Sequence, residues 1–108
     1  MNLYGIGIDV VDLNRSEFKT NGFFQRYMTP KEYEVIENNQ QVSANYYAGI
    51  WSLKEAIIKA TNHQFNIQDI SIKFTNEAPV CNLPGYKLFL SISYEKQIAV
   101  AIAICFKE

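Results

Sequence analysis

Trp51-Ser52-Leu53-Lys54-Glu55-Ala56-Ile57-Ile58-Lys59-Ala60 decides how this chain is read. It reads as a helix with an acid set between two lysines. Upstream, Tyr47, Ile50 and Trp51 join Ile57 and Ile58 to supply most of the helix's apolar surface. The helix opens at Ser43 or Asn45 and runs to about Ala60, with Asn62 as a cap at its C-terminal end. Near the N-terminus, Gly5-Ile6-Gly7-Ile8-Asp9 lies in an apolar, β-branched run from Leu3 to Val11 that reads as a strand. Glycine weakens a strand but permits close approach by another backbone or a ligand. If the strand end and one helix face meet, Asp9 and Glu55 offer two hard oxygen ligands to a divalent cation. Lys54 and Lys59 would then stand nearby for phosphate. That set suits a nucleotide-like diphosphate and makes an enzyme the leading reading.

Working outward, Asp12 to Lys19 reads as a short helical segment ended by the Asn21-Gly22 turn. Thr29-Pro30-Lys31-Glu32 is a helix start, with Thr29 as N-cap, Pro30 at the first helical position and Glu32 completing a capping box. This helix runs to about Asn38, before a polar loop. Beyond His63 the pattern turns to period two: Ile70, Ile72 and Phe74 alternate with Ser71, Lys73 and Thr75. Leu88 to Tyr94 and Gln97 to Phe106 form an antiparallel hairpin around Glu95-Lys96, and the second strand, nearly all Ala, Val and Ile, is expected at the sheet centre. The order β-α-α-α-β-β-β predicts an α+β fold, helices packed on a small antiparallel sheet.

The chain has 108 residues, so one domain over residues 1–108 is expected, with a modest core. Apolar residues make up 48% and aromatics 14%, which excludes a disordered chain. Seven Tyr and seven Phe exceed what a minimal core needs and hint at an interface. With a net charge of −1 there is no global basic field for nucleic acid or a membrane surface. No stretch approaches a membrane span or a secretory leader. Cys81 and Cys105 lack metal-ligand spacing and read as buried thiols of a cytoplasmic protein.

Plainer accounts stand beside the chemical ones. Glu55 and Lys59 are four apart with the acid first, the better orientation for a surface ion pair of about 0.3–0.5 kcal/mol. Asp9 can cap the next segment, or be paired with a cation. Gly5-Ile6-Gly7 is no phosphate loop, since it lies inside the strand and lacks a third glycine. His63 reads as a solvated residue at a helix end. Ser91 and Ser93 share one side of their strand and can either bond phosphate oxygens or serve the sheet.

Four segments in order resemble the holo-acyl-carrier-protein synthases, the small 4′-phosphopantetheinyl transferases. They are Gly5 to Arg15, Phe24 to Glu32, Tyr47 to Ala60, and Leu90 to Glu95 with Ala99-Val100-Ala101. The resemblance implies transfer of 4′-phosphopantetheine from coenzyme A to a serine of an apo acyl carrier protein, releasing 3′,5′-ADP. It also implies a homotrimer with active sites at subunit interfaces. Asp9 and Glu55 fall on the family's Mg²⁺ ligands and Lys59 on its lysine near the reacting phosphate. Glu55 is further placed to orient a water that takes the serine proton. Lys54, Ser91, Ser93 and Tyr94 are the remaining coenzyme A candidates. Arg15, Lys19 and Arg26 fall near the surface that docks the acidic carrier.

The departures are specific. The family's usual histidine after Ser-x-Ser is Tyr94, which donates a hydrogen bond but carries no positive charge near pH 7. Its helix arginine is Ile50, its glycine-rich turn is Thr61-Asn62-His63-Gln64-Phe65, and its Gly-Lys-Pro loop is Glu77-Ala78-Pro79. Two functions therefore compete: an active Mg²⁺-dependent transferase, and a carrier-binding or assembly protein with weak or absent catalysis.

Overall fold

A computed structural model describes residues 1–19, 23, 26–38 and 44–108. Its elements are strand β1 (Asn2–Asp12), helix α1 (Pro30–Asn38), helix α2 (Ala44–Ala60), and strands β2 (Lys73–Thr75), β3 (Ala78–Val80), β4 (Tyr86–Glu95) and β5 (Ile98–Lys107). β1, β5 and β4 form an antiparallel sheet in that order, so β5 is central, as its Ala/Val/Ile composition predicted. The Asn21-Gly22 turn, the polar loop after Asn38 and a Ser43 helix start lie outside the described residues.

α2 lies on this sheet because the sheet offers it almost no side chains to push against. Ala99, Ala101, Ala103 and Cys105 of β5 are fully buried beneath it. On β1 the contact is closer still. A Cβ on Gly5 would strike the carbonyl oxygen of Ala60, and one on Gly7 the carbonyl oxygen of Ala56 and the Ala60 nitrogen. The two glycines therefore admit helix backbone directly onto strand backbone. The other side of α2 is also buried: Ile50, Leu53 and Ile57 pack with Tyr27, Met28, Ile70, Ile72, Cys81 and Leu83 in the main core.

α1 starts as expected. Thr29 N donates to Glu32 Oε1 at 2.8 Å and Glu32 N donates to Thr29 Oγ1 at 3.4 Å, a reciprocal capping box. The Glu32 carboxylate does more than cap. Its Oε1 also accepts from Lys54 Nζ at 2.7 Å and its Oε2 from Ile72 N at 2.7 Å. Lys54 Nζ donates in addition to the Tyr27 carbonyl. Both charged side chains are wholly buried. Removing one partner of such a pair leaves an uncompensated charge and costs about 3–5 kcal/mol. One polar hub thus joins α1, α2 and the segment entering β2.

Two elements differ from the sequence reading. The stretch expected as a short helix from Asp12 is a single 3-10 turn, Ser16–Lys19, after a tight bend in which Asn14 N donates to Asp12 Oδ1. The strand around Phe74 pairs with an unforeseen partner, β3, in a separate two-stranded sheet. Three-residue strands leave little periodicity to read, and Pro79 within β3 argues against a strand in sequence. Asn76 and Glu77, both at positive φ, turn this hairpin without glycine. The alternation holds only in part: Ile70 and Ile72 are buried but precede β2, Ser71 and Phe74 are both half-buried, and Lys73 and Thr75 are exposed.

Substituting Gly7→Ala should force the α2 backbone off β1. We expect a loss of roughly 2 kcal/mol or more in urea unfolding, within the range for overpacking a tight contact. An unchanged midpoint would show that the two backbones are free to separate.

Candidate active site

Ser52, Glu55 and Lys59 lie at i, i+3 and i+7 of α2 and so share a side of the helix. That side meets the end of β1. Ser52 Oγ donates to the Asp9 carbonyl at 3.2 Å, fixing the strand there. Lys59 Nζ donates to the Ile8 carbonyl at 2.9 Å and to Asp9 Oδ1 at 3.3 Å. The Asp9 side chain is only 14% exposed. Its Oδ2 is buried and has no hydrogen-bond partner.

Glu55 belongs to the same cluster. Partial burial pushes its carboxyl above the usual range, and the nearby Asp9 carboxylate pushes it further. Lys59, His63 and Arg15 oppose the shift with their positive charge. Two acids held close together, one of them with an orphaned buried oxygen, leave local negative charge that a cation would relieve. Among the described residues no group of three His, Cys, Asp or Glu side chains gathers for a metal. A two-carboxylate site is what a small hard cation needs when phosphate and water complete its shell.

Other expected site residues fall elsewhere. Lys54 is corrected: it points to the opposite side of α2, wholly buried against Glu32, and is unavailable to phosphate. Burial lowers its pKa, and the Glu32 hydrogen bond opposes that shift. Ser91 and Ser93 are exposed on the sheet face turned away from α2. Tyr94 faces the helix, its hydroxyl lying where a Cβ on Gly49 would be, and burial raises its pKa. Tyr94 pairs with Ala99, and Ala99 with Val11. It is thus two strands from β1, roughly 10 Å across the sheet. A cleft of about 430 Å³ at the β4–β5 hairpin is lined by Ser93, Tyr94, Glu95, Lys96, Ile98 and Val100. Within one protomer, then, the structure brings Asp9, Glu55 and Lys59 together but leaves Ser91, Ser93 and Tyr94 apart.

Arg15 and Arg26 are partly exposed and exposed, respectively, whereas the Lys19 side chain lies outside the described residues. Ile50, where the family has arginine, is fully buried. The turn after α2 forms without glycine: Asn62 and His63 both take positive φ, and His63 N donates to the Ile58 carbonyl at 2.9 Å. Sequence reasoning missed Ser52, although its place three residues before Glu55 was a signal. It also missed that the Glu32 carboxylate would reach Lys54, which spacing along the chain does not reveal.

A sequence profile of the 4′-phosphopantetheinyl transferase superfamily matches residues 5–105. The chain belongs to this superfamily, as a holo-acyl-carrier-protein synthase. It is 37% identical to the holo-[acyl-carrier-protein] synthase of Mycoplasmoides gallisepticum, over 94% of this chain and 96% of that one. The synthase of Mycoplasma capricolum subsp. capricolum is 33% identical over 92% and 91% of the two chains. Among solved structures, a Bacillus anthracis holo-(acyl-carrier-protein) synthase in complex with CoA (3′,5′-ADP) superposes with a TM-score of 0.86 at 28% identity, covering all of both chains. This chain thus shares its fold with a synthase solved in complex with CoA.

The raised pKa of Glu55 gives a pH test. A carboxyl raised in the folded state favours folding below its unfolded pKa and loses that contribution as pH rises through the folded pKa. Without metal, Glu55→Gln should therefore raise the melting temperature at pH 7 and leave it nearly unchanged at about pH 3, well below the ordinary glutamate pKa, where both states are protonated. Scanning calorimetry at the two pH values reads this; equal or lower stability at pH 7 would contradict it.

Proposed function

We propose that this protein transfers 4′-phosphopantetheine from coenzyme A to a serine of an apo acyl carrier protein, in a Mg²⁺-dependent reaction in the cytoplasm. One observation carries the reading: Asp9, Glu55 and Lys59 converge, with Asp9 Oδ2 buried and unpartnered. Asp9 and Glu55 would hold the Mg²⁺. When bound it supplies Lewis-acid stabilisation of the diphosphate, neutralising charge that grows on the leaving phosphate. Lys59, anchored by the Ile8 carbonyl, keeps a fixed positive charge beside the same oxygens. The serine oxygen gives up its proton to a water that Glu55 would orient and forms a bond to the pantetheine-bearing phosphorus, while the bond from that phosphorus to the bridging oxygen breaks and 3′,5′-ADP leaves with that oxygen.

The enzyme we propose is a homotrimer whose active sites lie between protomers. Support comes from the outer face of the main sheet. Ile6, Ile8, Val10, Phe89, Ile98 and Ile102 stand exposed there, Ile8 directly opposite Ile102. A patch this apolar marks an association surface. Association also answers the separation found above, because Ser93 and Tyr94 of one protomer can then serve the acid cluster of another. Tyr94 acts there as a neutral hydrogen-bonding group. The reading as a binding protein without catalysis is less favoured, since the departures at positions 50 and 94 leave the acid–lysine cluster whole.

The direct test is incubation with coenzyme A, Mg²⁺ and a panel of apo carriers, followed by mass spectrometry of the carrier. A mass gain on at least one carrier is expected. Asp9→Asn should lower kcat by roughly 100-fold or more, and chelation of the metal should stop transfer. No gain on any carrier, beside a working control synthase, overturns the proposal. For assembly, light scattering should give three times the chain mass, and Ile8→Glu should shift it towards the monomer; a monomeric wild-type chain would remove the trimer.

A further inference from the structure

The segment leaving β1 holds a charge pair that the proposed chemistry does not use. Arg15 lies with its guanidinium over the rings of Phe18 and Trp51, at 5.7 and 5.6 Å from their centres. Its Nε donates to Glu17 Oε2 at 2.9 Å, and Nη2 donates to the same oxygen. Ser16 Oγ donates to Glu17 Oε1 at 3.2 Å. Side chains 15 and 17 are 39% and 43% exposed, so the pair sits at the surface. The Arg15 hydrogen bond holds the Glu17 carboxyl below its ordinary range, so it is ionised at neutral pH.

Glu17 can affect a partner that approaches Arg15 in two opposite ways: by orienting the guanidinium or by cancelling its charge. The aromatic contacts decide between them. Two ring faces already hold Arg15 against Trp51 of α2, so orientation does not need the carboxylate. Cancellation does, because Arg15 with Glu17 presents no net charge to an approaching surface.

We propose that Glu17 is a specificity-determining residue for the acyl carrier protein, its carboxylate occupying the edge of Arg15 that an acidic group of the partner would take. The inference rests on the transferase reading and on Arg15 falling near the carrier-docking surface, as the family resemblance implies. An exposed pair is weak and screened by salt, so a partner can exchange into it. Only a partner with several acids within a Debye length, about 8–10 Å, gains enough to displace Glu17. Weakly acidic proteins are turned away by the repulsion of Glu17 itself.

The test compares wild type with Glu17→Gln and Glu17→Ala at low and high salt. Both variants are surface changes that the fold should tolerate. At low salt the KM for apo carrier should fall roughly 3–10-fold in both, and the gain should shrink as salt screens the charges. The KM for coenzyme A and kcat should stay unchanged. Carriers made less acidic by Glu→Gln substitutions on their docking face should gain most. An unchanged KM for carrier in both variants would overturn the inference, and so would a raised one, which would mean that Glu17 orients Arg15. Failure of the transferase reading looks different: wild type then modifies no carrier at all. In that event calorimetry of an acidic apo carrier with wild type and Glu17→Gln still decides. Tighter binding by the variant supports the role of Glu17; equal, weaker or no binding removes it.

Discussion

Strand β1 and helix α2 touch backbone to backbone, and the site exists because of that contact. Gly5 and Gly7 lie beneath Ala60 and Ala56, where any side chain would collide with helix carbonyls. With nothing between them, the strand end reaches Ser52, which holds the Asp9 carbonyl, and Lys59, which bonds Ile8 and Asp9. A larger residue at position 7 would lift the helix and carry Glu55 and Lys59 away from Asp9. The same closeness keeps Asp9 Oδ2 from water and raises Glu55. The electrostatic tension in the cluster is thus a consequence of packing, and it suits a site meant to receive a cation and phosphates.

On its other side α2 is pinned by charge. Glu32 is at once the cap of α1, the partner of Lys54 and the acceptor for Ile72 N. Burying an ion pair is a poor source of net stability. What this one supplies is definition: satisfying every partner fixes how α2 is rolled between the sheet and α1. Adjacent residues 54 and 55 then serve opposite ends, one buried in structure and one turned to the site. The chain's two lysines around Glu55 look alike in sequence, yet only Lys59 reaches Asp9, while Lys54 is buried against Glu32.

The exposed face of the sheet and the divided site have a common cause. Strand alternation places small residues under α2 and large apolar ones, Ile6, Ile8, Val10 and Ile102, on the other side. Among the described residues nothing in one protomer covers that side. Likewise Tyr94 and Ser93 sit at the far edge of the same sheet, separated from Asp9 by the width of β5. Within one protomer the acid–lysine cluster and the pair Ser93 and Tyr94 therefore lie in different places. Association through the bare face would cover those apolar side chains.

Much of this was legible along the chain. Local patterns determined the capping box at Thr29, the buried character of the alternating Ile70 and Ile72, the central place of β5 and the acids at positions 9 and 55. Each depends on neighbours within a few residues, which the sequence displays directly. The short β2–β3 hairpin did not announce itself, because three-residue strands with a proline carry too little pattern. Tertiary structure alone decided which side of α2 each lysine takes, that Glu32 reaches residues 54 and 72, and that Ser93 and Tyr94 stand apart from Asp9. Those outcomes turn on contacts between residues 22 to 51 positions apart, set by how closely helix and sheet approach, and periodicity along one segment does not encode that distance.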